Sequence, residues 1–117
     1  MSPLTITARD AVTGPVLEIT GDLDYTTAPE LRQSLDRLVL AEGQLLVLDL
    51  DGLEFCDSSG ITVLLVARNL ATEHRGGMAL AAVPANTARI LRIAGLDRVF
   101  TLHPDTATAT RPGSTTR

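Results

Sequence analysis

The chain has 117 residues, of which 44% are hydrophobic but only 3% aromatic, and its formal net charge is -4. That length suits one domain with a core of Leu, Ile, Val and Ala, and an acidic balance without any run of Lys and Arg argues against a nucleic-acid surface. No apolar stretch nears the ~20 residues of a membrane span, Met1 to Ala8 lacks the basic start and apolar run of a signal peptide, and Cys56, His74 and His103 have no soft-metal spacing, so a cytoplasmic protein without cofactor or metal is expected.

Leu4, Ile6 and Ala8 alternate with Thr5 and Thr7, and Leu17 and Ile19 alternate with Glu18 and Thr20, the period-two pattern of half-buried strands. Between them Arg9 to Pro15 carries Asp10, Gly14 and Pro15, which makes the opening an antiparallel hairpin. Thr27 stands three residues before Glu30 in the spacing of a capping box. Leu31, Leu35, Leu38 and Val39 follow at helical intervals and predict a first helix over Ala28 to Leu40. Gly43 suits its end, and Leu45, Leu46, Val47 and Leu48 read as a strand buried on both faces, as central parallel strands are.

Asp57 caps a second helix that reaches about Glu73, with Ile61, Leu65 and Val66 toward the core. Gly76 and Gly77 stop it, Met78 to Val83 supplies another strand, a short helix runs from Asn86 to Gly95, and Val99 to Leu102 forms the last strand. From Asp105 onward the apolar residues are too few to offset ordering entropy, so 105–117 is expected to fray and to be dispensable for stability. The pattern as a whole is α/β: one domain over 1–104, a hairpin, then strands and helices alternating by right-handed crossovers, with the later strands parallel.

The segment richest in chemistry is Leu53 to Leu65, where a strand ends, a turn passes Phe55 and Cys56, and Asp57, Ser58, Ser59 and Gly60 open the second helix. Two serines at a helix start sit beside free backbone N-H groups and the positive end of the helix dipole, an environment suited to a phosphate. The same residues are also preferred helix caps, so the residues alone leave capping and phosphorylation both open.

The Asp57-Ser58-Ser59-Gly60 turn between a strand and an apolar helix resembles the signature of STAS domain proteins that act as anti-sigma factor antagonists. Gly21-Asp22-Leu23-Asp24 with Thr27 and Ala28, and Ile93-Ala94-Gly95-Leu96, resemble two further blocks of that family, and the likeness covers roughly Leu4 to Leu102. The resemblance implies a STAS-like mixed sheet and a regulatory binding protein. When unphosphorylated, such a protein binds an anti-sigma factor that is also a serine kinase and so frees a sigma factor. Phosphorylation of Ser58 inactivates it and a serine phosphatase restores it. The implied partner surface is the loop of Asp22, Asp24 and Thr26 together with Asp57, Ser58, Ser59, Gly60 and Ile61. The tail departs from the family, whose members close with an amphipathic helix.

Rival readings are weaker on the residues. A STAS subunit of a transport or signalling complex would need no phosphorylation cycle, whereas both serines are present. A hydrolase elbow needs glycine two residues before its serine, where Cys56 stands before Ser58. Asp49, Asp51 and Asp57 are accounted for by strand-end and turn chemistry rather than magnesium, and a lone Cys56 in apolar company reads as a small core residue.

Overall fold

The alternation at the start of the chain produces the hairpin. In the structure, a computed structural model that describes residues 3–112, β1 (Thr5–Ala11) and β2 (Gly14–Leu23) pair antiparallel with Ile6 opposite Ile19 and Ala8 opposite Leu17. The strands run further than the alternation indicated, leaving only Val12 and Thr13 between them.

The chain continues through α1 (Ala28–Asp36), β3 (Leu45–Asp49), β4 (Leu53–Cys56), α2 (Ser58–Glu73), β5 (Gly77–Ala81), α3 (Ala85–Ile93), β6 (Thr101–His103) and α4 (Thr106–Ala109). The sheet order is β1-β2-β3-β5-β6, with β4 pairing the far half of β2, and every pairing after the hairpin is parallel. This is the mixed α/β architecture expected. Among the described residues no helix is long and apolar enough to cross a membrane.

Period two in β3 splits its side chains between two cores. Leu46 and Leu48 join Leu17, Ile19 and Leu80 beneath α1, α2 and α3, which supply Leu31, Leu35, Leu64, Ala67 and Leu91. Leu45 and Val47 face the other way with Val16, Ala79 and Ala81, and there they meet Ala109 of α4.

Four local expectations are corrected. The first helix ends at Asp36 rather than Leu40: the chain turns so that Leu40 is buried while Val39 is left exposed. Its capping box does not form, because the Thr27 hydroxyl is already engaged in the preceding loop. The turn at Phe55 and Cys56 is instead a short strand, β4, because β2 is long enough to carry two parallel neighbours in succession. Finally, the segment expected to fray contains α4. Asp105 caps it by accepting from Thr108 N at 2.7 Å, a bond that also holds the Asp105 carboxyl below its usual range, and Ala109 is fully buried. The rest of that segment, 113–117, lies outside the described residues.

Candidate functional site

The candidate site is built where two parallel strands end side by side. Leu23 of β2 pairs with Cys56 of β4, so the loop after the first and the turn after the second emerge next to each other. The backbone N-H of Asp57 donates to Leu23 O at 3.2 Å, fastening the turn to the end of β2. A break in register between Gly21 and Asp22 accompanies this exit.

On the β2 side the loop folds around one carboxylate. Asp24 Oδ1 accepts from Thr26 N at 2.9 Å and Thr27 N at 3.1 Å, while the Thr27 hydroxyl donates to Asp22 O at 2.8 Å and accepts from Asp24 N at 2.9 Å. This closed set of bonds is an Asx turn running into α1. Asp22 and Asp24 are half-buried and Thr26 is exposed. Tyr25 between them stands 81% exposed.

On the β4 side Asp57 has extended backbone angles and its Oδ1 accepts from Gly60 N at 3.1 Å, the bond of an N-cap. Ser58 follows as the first helical residue, exposed, and its hydroxyl has no hydrogen-bond partner within the described residues. Its carbonyl accepts from the Thr62 hydroxyl at 2.9 Å. Ser59 is half-buried and borders a cleft of about 330 Å³ with Tyr25, Ala28, Pro29, Arg32 and Val63.

Gly60 and Ile61, which the resemblance placed on the partner surface, point inward. Ile61 is 7% exposed and belongs to the main core. A Cβ on Gly60 would lie 2.7 Å from Cys56 Sγ and 2.8 Å from Leu23 Cγ, so this glycine lets the first turn of α2 press onto the strand ends. The surface exposed at this corner is Thr26, Ser58, part of Ser59, the edges of Asp22, Asp24 and Asp57, and Tyr25. Sequence reasoning missed Tyr25, although an aromatic ring among Asp and Thr, outside any apolar period, is a signal of exposure.

The remaining chemical groups are not gathered here. His74 caps the far end of α2, about 24 Å from Ser58 at the rise of a 16-residue helix, and His103 lies in β6. Burial, reinforced by the Asp57 charge, pushes the Cys56 thiol from 9.0 up to about 12, which keeps it protonated and unreactive. Asp49 Oδ1 accepts from Asp51 N at 3.0 Å in a turn, and among the described residues no three His, Cys, Asp or Glu side chains converge as metal donors.

Comparison with known proteins agrees with this geometry. A family model described as the STAS domain matches residues 4–109. The anti-sigma-F factor antagonist RsfB of Mycobacterium tuberculosis is 32% identical over 118 residues, covering 94% of this chain and 92% of its own. The crystal structure of an anti-sigma factor antagonist from Mycobacterium paratuberculosis superposes with a TM-score of 0.79 at 30% identity, over 92% of this chain and 94% of that one. The Bacillus cell fate determinant SpoIIAA in its phosphorylated form shares the fold, with a TM-score of 0.68 at 15% identity over 90% of this chain and 96% of its own. With the family model spanning nearly every described residue and a relative 32% identical along almost the whole chain, the protein belongs to the STAS domain family, beside the anti-sigma factor antagonists.

Proposed function

We propose that this protein is an anti-sigma factor antagonist switched by phosphorylation of Ser58. Unphosphorylated, it binds in the cytoplasm to an anti-sigma factor that is also a serine kinase and displaces the sigma factor, acting as a binding protein and not as an enzyme. The kinase transfers the terminal phosphoryl of ATP to the Ser58 hydroxyl, which gives up its proton, and ADP leaves; a serine phosphatase hydrolyses the ester. The observation that carries this reading is the exposed, unpartnered hydroxyl of Ser58 on the first turn of α2, beside the Asp24 loop. The named relatives are antagonists of anti-sigma factors, and SpoIIAA has a phosphorylated form, which supports carrying both properties to this chain.

Two opposing effects set the outcome of phosphorylation. Within the domain, a charge of about -1.5 to -2 at a helix start gains about 0.3 to 1 kcal/mol from the dipole and free amides, opposed by Asp57. At an interface the same group adds bulk and must shed water, which costs several kcal/mol, so binding fails while the fold persists. Titration calorimetry against the kinase partner tests this. Phosphorylated protein is expected to bind at least about 100-fold more weakly, Ser58→Ala to bind constitutively, and Ser58→Asp to be partly impaired, with unchanged circular dichroism. Equal affinity of the phosphorylated and unphosphorylated forms would refute the switch.

A further inference from the structure

We infer that the cleft between β4 and the start of α3 is a binding site for a small organic anion with a flat apolar body. It shares no lining residue with the cleft beside Ser59 and has a volume of about 260 Å³. At about 30 Å³ per water this is space for roughly nine waters, or a ligand of about ten heavy atoms.

Its walls are of two kinds. Phe55, 51% exposed, and Ile90 present apolar surface to the cleft. The other wall is the first turn of α3. There the N-cap is Pro84, which offers no side-chain acceptor, the turn contains no acidic residue, and the amides of Asn86 and Thr87 have no protein acceptor among the described residues. Arg89, one residue beyond that turn, also lines the cleft.

The decisive group is Thr87. It is 4% exposed, it lines the cleft, and its hydroxyl has no hydrogen-bond partner within the described residues. Helical threonines ordinarily return their hydroxyl to a carbonyl one turn back, as Thr62 and Thr72 do in α2. Its oxygen is not sealed from solvent, and the cleft is its route to a hydrogen-bond partner. An anion meets the Thr87 hydroxyl, the helix amides and the Arg89 guanidinium at once. Its apolar body then covers Phe55 and Ile90. Glu54 is the acidic residue of the lining, so a ligand with one compact anionic end, set toward α3, fits better than one charged throughout.

The test is a titration of the full chain, labelled with nitrogen-15, with benzoate and with phenyl phosphate. Inorganic phosphate and benzyl alcohol serve as the anion-only and ring-only arms. Saturable amide shifts at Asn86, Thr87 and Phe55 are expected with either aryl anion, with a dissociation constant of about 1 mM or tighter for a ligand of this size. Each control should bind about tenfold more weakly or not at all. Thr87→Val, which keeps the volume and removes the hydroxyl, and the exposed change Arg89→Ala should each weaken binding about tenfold while the rest of the spectrum is unmoved. If Thr87→Val disturbs the whole spectrum, Arg89→Ala alone decides. No saturable shift at about 10 mM, equal binding of inorganic phosphate, or unchanged affinity in a folded variant would overturn the site.

Discussion

Gly60 is required by packing, because the close approach of α2 to Leu23 and Cys56 leaves no room for a methyl group. Gly60→Ala is expected to lose about 1 to 3 kcal/mol of stability through overpacking, despite the better helix propensity of alanine, and denaturant unfolding would read it. The sequence displayed Asp57 as a cap and Ser58 as an exposed hydroxyl because both depend on neighbours within three residues. It did not display the need for Gly60, since that depends on strand ends more than thirty residues apart coming together, whereas the helical period that turned Ile61 toward the core prevailed over the resemblance that put it on the partner surface. Cys56 permits a pH test. Its folded pKa, about 12, lies above the ordinary 9.0 because of burial, so the folded state holds a proton that the unfolded state releases. The stabilisation is complete below pH 9 and is lost as pH rises from there toward 12. The chain contains no lysine to add to the slope in this window. Stability should fall by up to about 1.4 kcal/mol per pH unit above pH 9, and Cys56→Ala should flatten that slope.

At the scale of elements, α4 covers a face that the sequence had already announced. Leu45 to Leu48 were legible as buried on both sides, which requires something to lie over Leu45 and Val47. The cover escaped notice because Thr106–Ala109 is a single turn whose apolar surface is two alanines, too short for any periodicity to emerge. Packing, not propensity, holds it there: Ala109 rests among Val16, Val47, Ala79 and Ala81, and the Thr13 hydroxyl reaches Thr110 O at 3.4 Å. Truncation after Asp105 is therefore expected to cost about 2 kcal/mol, from partial exposure of two valines and their neighbours. The melting temperature should fall by about 4 °C or more. The failure of the Thr27 capping box has the same origin. A short polar motif specifies a possible bond, and the loop of Asp24 claims that hydroxyl first.

Across the whole molecule, one end of the parallel sheet gathers the exposed groups of the proposed partner surface, while the helices and the second core keep that end fixed. Asp24 has two duties there, holding the loop and presenting a charge. Asp24→Asn retains an oxygen for Thr26 N and Thr27 N, so it should leave the melting temperature nearly unchanged while weakening partner affinity about three- to tenfold, as calorimetry would show. Asp24→Ala should also lose about 1 kcal/mol of stability. The bond from Asp57 N to Leu23 O, together with the contact at Gly60, has a kinetic consequence. The proposed landing site exists before a partner arrives, so no stretch of its backbone waits to be ordered during the encounter. Association should then run at the orientation-limited rate of about 10^5 to 10^7 per molar per second with or without the phosphate. Modification would act on residence time: in stopped-flow mixing the two forms arrive equally fast, and the phosphorylated one departs sooner.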